Sequence, residues 1–274
     1  MFWQMVSVEQ KKLTRRKILW IELAIVAAAA VLIPLVIYLA SQGDGSGNVV
    51  VTTDGSVDDM FTWPLSLNMA IDLASGSGLG GMLIVILIGT LTAQEYSWRT
   101  MQLWLSNGIS RPVLLLAKFT IVLLPALLFV LASFVTGALT TAVFTQNLQG
   151  SLPFAEVDWG QVALNILRTA YTLLPYAAFA FLLAIASRST VVAVGVSLAY
   201  TLLVEDVLMQ LLGLVGGTWA TIGQYLPAGL GNSLASINQT EGVSMATAVI
   251  GIALYTVLFV GLAVLAFRRQ DLTG

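Results

Sequence analysis

The stretch ILWIELAIVAAAAVLIPLVIYLA, Ile18 to Ala40, decides the fold class. It runs for 23 residues with a single charged side chain, Glu22. As a helix rising 1.5 Å per residue it extends about 35 Å, enough to cross the roughly 30 Å hydrocarbon core of a bilayer. A secretory signal has an apolar region of only about 7–15 residues. The polar segment 1–17 in front of the run, and the lack of a small-residue cleavage site behind it, point to a retained first span. Working outward, five more apolar runs follow, at residues 71–93, 119–144, 162–186, 191–214 and 246–267. The second opens on a Gly- and Ser-rich tract, and the fifth is interrupted by Glu205 and Asp206. Pro34, Pro125 and Pro175 fall in spans one, three and four, where they are expected to kink the helices. The expected fold is an all-α integral membrane protein, one transmembrane domain over residues 1–274 with six spans.

Composition agrees. Hydrophobic residues make up 58% of the chain and charged residues 9%, against about 25% charged in a soluble domain. There is no His and no Cys, which excludes disulfides, thiolate or imidazole metal sites, and catalysis that depends on either side chain. The net charge of −2 says little, but its distribution is ordered. Lys11, Lys12, Arg15, Arg16 and Lys17 precede span one. Arg99, Arg111 and Lys118 separate spans two and three, Arg188 separates four and five, and Arg268 and Arg269 follow span six. With six spans all of these share one side, and Arg168 alone does not. The other side collects Asp44, Asp54, Asp58, Asp59, Glu156, Asp158 and Glu241. The excess of Lys and Arg on the inner side of membrane proteins then places both termini in the cytoplasm.

The loops differ in character. Residues 41–68 form an outer loop with a short strand expected at Val49–Thr52. Residues 215–244 form a second outer segment whose Trp219, Ile222, Tyr225, Leu226 and Pro227 suit short interfacial helices. Ser187–Thr190 is a tight turn. Asn238-Gln239-Thr240 matches an N-glycosylation acceptor.

The most informative loop is EYSWRTMQLWLSNGISRPVLLLAK, Glu95 to Lys118. Glu95 and Arg99 are spaced to pair on one helical face. Tyr96, Trp98, Met101, Trp104 and Leu105 give a short amphipathic helix. Asn107-Gly108 is a stop signal, and Ser110 with Pro112 restarts a helix into span three. From pattern alone this segment is either a partner-binding element or an interfacial anchor for span two.

These residues resemble those of an ABC-2 type transporter permease. In that family span two ends in a Glu, followed by a Thr, a Leu-rich stretch, a Ser-Arg pair and a Lys opening span three. Here those are Glu95, Thr100, Leu103 and Leu105, Ser110-Arg111 and Lys118. The segment Glu9 to Lys17 is similar to the basic elbow before span one, and Phe267 to Leu272 is similar to the family's short basic tail. Asn107 departs from the family pattern at the turn. The resemblance covers essentially the whole chain and implies an ABC-2, type V exporter-like architecture in a plasma membrane, such as a bacterial inner membrane. It implies a permease that pairs with a second copy or paralogue and with a cytoplasmic ABC ATPase. In that reading Glu95, Trp98, Arg99, Thr100, Met101, Trp104 and Arg111 form the ATPase-coupling segment, and Glu9, Lys12, Arg15 and Arg16 form an elbow contact. This chain would bind no cofactor and no nucleic acid. ATP and Mg would sit on the partner, and transport would more often be export.

The sequence supports that division of labour. No G-x-x-x-x-G-K-[ST] occurs, so phosphates cannot be cradled in a P-loop. Gly76 to Gly81 satisfies G-x-G-x-x-G, but within an apolar run it reads as small-residue helix packing rather than a dinucleotide site. Asp72, Arg168, Glu205 and Asp206 share a depth toward the outer side. They are expected either to line a polar path or to form a structural Arg–carboxylate pair. Glu22 is expected to snorkel or to pair with Arg188 or a partner subunit. The rival reading is a secondary transporter or channel that uses the intramembrane charges. An enzyme and a passive scaffold are weaker rivals.

Overall fold

The computed structural model describes residues 2–42, 62–98, 100–235 and 243–270. The strand expected at Val49–Thr52, the acceptor pattern at Asn238–Thr240, Arg99, and the acids Asp44, Asp54, Asp58, Asp59 and Glu241 lie outside them. The described residues are helical throughout, with no strand. Six helices are long and apolar enough to cross a membrane, the build of a multi-pass membrane protein.

A first helix, α1 (Phe2–Thr14), turns at Arg15-Arg16 into the first spanning helix, α2 (Lys17–Gln42). The second apolar run is not one continuous helix. It is divided into α3 (Leu65–Asp72) and α4 (Leu79–Ser97). The reason lies in its glycines. The N–H groups of Gly78 and Gly81 both donate to the Ser75 carbonyl, and that of Leu79 donates to Leu73. In this tight turn a Cβ on Gly80 or Gly81 would collide with the carbonyls of Ala74 and Gly76. The tract expected to bring two helices together instead lets one chain segment fold onto itself. Gly76 adds the interhelical contact, since a Cβ there would lie 2.6 Å from the Thr172 carbonyl.

After α5 (Thr100–Ser106), left-handed Gly108 (φ 80°) reverses the chain. Helix α6 (Arg111–Thr120) follows, with Ser110 at its N-cap and Pro112 in its first turn, as expected. A break at Ile121-Val122 separates α6 from α7 (Leu123–Gln149). Pro125 therefore falls in the first turn of α7, where its missing N–H is not needed. It sits beside the break instead of kinking a span. Helix α7 ends on left-handed Gly150. Helix α8 (Trp159–Ser187) is capped by Asp158, which accepts from the N–H groups of Gly160 and Gln161 at 3.0 and 3.1 Å. Helices α2 and α8 run on through Pro34 and Pro175.

The tight turn at Ser187–Thr190 leads to α9 (Thr190–Ala199), a π-helical turn (Tyr200–Val204) and α10 (Glu205–Val215). Short helices α11 (Thr218–Gly223) and α12 (Pro227–Ala235) precede α13 (Met245–Arg268). Helix α8 is the hub, packing on α13, α4, α9, α7 and α12. Lipid is as apolar as leucine, so close packing rather than water exclusion holds such a bundle. Gly137 of α7 accordingly lies against Ala70 of α3, and Ser133 donates to the Ala70 carbonyl. Helices α2, α9–α10 and α13 turn most of their surface outward, including Ile25, Val36, Leu203, Leu254 and Val257. Such apolar surface suits hydrocarbon or another apolar face.

Candidate functional site

Helix α1, the end of α4 and the end of α6 converge at the end of the bundle that gathers the basic residues. Their charged side chains meet in one cluster, buried at Lys118 and Glu95 and open at Lys12, whose side chain is 34% exposed. Lys118 of α6 is the centre, its side chain 7% exposed. Its Nζ pairs with Glu95 Oε2 of α4 and donates to Glu9 Oε1 of α1 at 3.0 Å. Lys12 donates to Glu9 Oε1 at 2.8 Å and lies 3.7 Å from Glu95 Oε1. Two carboxylates and two ammonium groups thus alternate around a square. Burial pushes the Glu9 carboxyl up, but Lys118 and Lys12 together outweigh it and hold the group below its ordinary value of 4.5. A cavity of about 50 Å³ beside the square is bounded by Arg16 and Thr92 as well as the four charges. It is large enough for water.

Around the square, Arg16 donates to Gln94 Oε1 at 2.9 Å and lies 4.4 Å from the centre of the Trp98 ring. Lys12 Nζ stands 5.3 Å from the centre of the Trp104 ring. A second fastening binds α6 to the last helix. Arg111 Nη1 donates to the carbonyls of Phe267, Arg268 and Gln270 at 3.1, 2.9 and 3.0 Å. A cation on the free carbonyls of α13 is favourable both as a hydrogen-bond donor and against the helix dipole. Gln270 in turn donates to the Ile185 carbonyl at 2.7 Å and accepts from Tyr96 Oη at 3.1 Å.

These positions revise the expected coupling segment. Glu95 belongs to the spanning helix α4 and is buried against Lys118 and Lys12, while its expected partner Arg99 lies outside the described residues. Thr100 Oγ1 donates to the Glu95 carbonyl at 3.3 Å and so ties α5 to the end of α4. Met101 is buried in the core, Trp104 is half-buried under Lys12, and Arg111 is spent on α13. Of the described residues in that set, Trp98 alone is exposed, and Leu103 of the family pattern is exposed as well. In the elbow, Glu9, Lys12 and Arg16 face inward, and Arg15 is exposed. Gln94 and Gln270 were not picked out from the sequence, and Lys118 was quoted only as part of the family pattern without its partners, because each acts on residues distant in sequence.

At the opposite end the four expected intramembrane charges are not joined. Glu205 is 1% exposed and accepts from Tyr176 Oη at 2.9 Å and from the Ala228 N–H at 2.6 Å. Its neighbour Asp206 is exposed. Arg168 reaches Met245 Sδ at 3.5 Å and makes no ion pair among the described residues, so the expected Arg–carboxylate pair is absent there. Asp72 faces a cleft of its own. Glu22 neither snorkels nor pairs with Arg188. Both its carboxylate oxygens are buried without a hydrogen-bond partner, and Arg188 lies 5.9 Å from the centre of the Tyr96 ring.

Residues 77–273 match the family model described as "Protein of unknown function (DUF2705)". The chain belongs to the DUF2705 family. It is also similar to "Uncharacterized protein YhcI" of Bacillus subtilis (strain 168), 25% identical over 214 residues that cover 74% of this chain and 68% of that protein. The DUF2705 match opens inside the turn between α3 and α4 and runs through α13. It takes in Glu95, Lys118, Arg111 and Glu205, whereas Glu9 and Lys12 precede it.

Proposed function

We propose that this chain is the permease subunit of an ATP-driven ABC-2 type transporter, seated in a plasma membrane with both termini in the cytoplasm. The observation that carries this reading is the square of Glu9, Lys12, Glu95 and Lys118, centred on buried Lys118. It joins the elbow helix α1 to the end of one span and to the helix opening the next. Between those two, Trp98 at the end of α4 and Leu103 of α5 are exposed. Helix α5 is tied to that square by Thr100, which donates to the Glu95 carbonyl, and by Trp104, which lies under Lys12, so a force on α5 would pass to α4 and α1 through these contacts. The wide gathering of Lys and Arg at that end supports its cytoplasmic placement. The lack of a P-loop in the sequence fits a chain that takes its energy from an ATPase on another polypeptide. The likeness of segments Glu9–Lys17, Glu95–Lys118 and Phe267–Leu272 to the ABC-2 pattern supports the same reading.

A second copy or paralogue would cover outward-facing apolar helices such as α2, and the substrate would leave the cell. The rival reading, a secondary transporter, rests on a cluster of intramembrane charges, and Asp72, Arg168, Glu205 and Asp206 form no ion pair with one another. Photo-crosslinking from position 103 in native membranes tests the proposal. The expected product is a covalent adduct with a protein that carries a Walker A motif, formed from position 103 and not from lipid-facing position 254. Adducts with lipid alone at both positions would refute it.

A further inference from the structure

A cleft of about 930 Å³ opens between α3, α8 and α12, at the end of the bundle opposite the charge square. Its walls are joined by hydrogen bonds. The Gly76 N–H donates to Thr172 Oγ1 at 3.0 Å, which holds the α3–α4 turn on α8. Tyr176 lines the cleft from α8, and its hydroxyl is held by Glu205. The same Glu205 carboxylate grips the start of α12 at Ala228. Ser77 donates to Asn232 Oδ1 at 3.3 Å, a strut from the turn to α12.

Within this frame one group is unbalanced. Asp72 is the single charged residue among the described residues lining the cleft. It is exposed there, and its carboxylate has no hydrogen bond or ion pair among the described residues. The basic residue nearest along the wall, Arg168, lies one turn from Thr172 on α8 but extends to Met245 of α13. The rest of the lining divides into amide and hydroxyl groups (Asn68, Ser75, Asn232) and apolar surface (Leu65, Met69, Pro227). A volume of this size with few polar groups is typical of small-molecule sites.

We infer that this cleft binds monovalent organic cations, with Asp72 as their counter-ion and the apolar wall receiving their carbon body. The inference goes beyond the permease reading and needs no ATPase to test. The full chain is purified into nanodiscs and equilibrated with tetraphenylphosphonium or rhodamine 6G, with anionic fluorescein as comparator. Saturable binding of at least one cation is expected. Asp72→Asn, which keeps the shape and removes the charge, should weaken it at least tenfold. Asp72→Glu should retain it within threefold, and Asp206→Asn, an exposed acid outside the cleft, within twofold. Fluorescein should not bind saturably. Failure of both cations to bind saturably, a loss of less than tenfold in Asp72→Asn, or equal binding of fluorescein would overturn the inference. Because loss of ATPase association would leave every one of these readings unchanged, the two proposals fail separately.

Discussion

Replacing Lys118 by Met removes the positive centre of the charge square while filling nearly the same volume. Lys118 serves Glu95 and Glu9 at once, and the three side chains are 7, 8 and 11% exposed. Without it, two buried carboxylates face each other and share Lys12, whose contacts are 2.8 and 3.7 Å. Breaking a buried pair by removing one partner costs about 3–5 kcal/mol, because the surviving charge is left uncompensated. At roughly 2–4 °C per kcal/mol for a chain of this size, Tm should fall on the order of 10 °C. The assay is thermal unfolding in a mild detergent, followed by tryptophan fluorescence. Lys118→Met with Glu95→Met should recover most of the loss, since Lys12 and Glu9 remain as a neutral pair and the hole between α4 and α6 is filled by apolar side chains. A drop below about 2 °C in the single variant, or no recovery in the double, would refute the claim that Lys118 and its two carboxylates are a buried, mutually compensated unit.

The acid limb of stability follows from Glu9. Its pKa is depressed on folding, so its contribution is complete above the ordinary carboxylate value of 4.5 and fades as pH falls through the lower folded value. Glu9→Gln should therefore destabilise at neutral pH and flatten the fall of Tm on acidification, and an unchanged acid slope would count against the assignment. Arg111→Ala frees three carbonyls at the end of α13. It should cost about 1–2 kcal/mol and speed amide hydrogen exchange at residues 265–270, with α7 unaffected. Glu205→Leu strands the Tyr176 hydroxyl and the Ala228 N–H and should cost about 2–4 kcal/mol. Glu205→Gln, which keeps an acceptor, should lose less than half of that by the same melting assay, and equal losses would show that burial rather than hydrogen bonding sets the cost.

Span number was legible because a membrane helix is a long local signal, an apolar run that needs no knowledge of neighbours. The stop and restart around α6 were legible for the same reason: Gly108 and Ser110 act within four residues of themselves. What lay hidden was set across the chain. The spacing rule for helix pairs sees Arg99 four residues from Glu95, but not Lys118, which a turn and a second helix bring back. Adjacent residues on a helix point about 100° apart, so the sequence cannot say which of Glu205 and Asp206 is buried; packing on Tyr176 and α12 decides it. The break between α3 and α4 was written in the glycine tract. An average over an apolar window treats glycine as merely neutral and passes over the close approach it permits.

The central claim is that this chain moves substrate only with an ATPase partner. Its most direct measurement is purification from native membranes in mild detergent, followed by reconstitution into liposomes with and without ATP. Wild-type chain is expected to carry with it a Walker-motif ATPase whose turnover drives solute movement, with both association and flux lost in Trp98→Ala/Leu103→Ser. A chain that purifies without a nucleotide-binding partner and moves solute down or against an ion gradient in the absence of ATP would contradict the account.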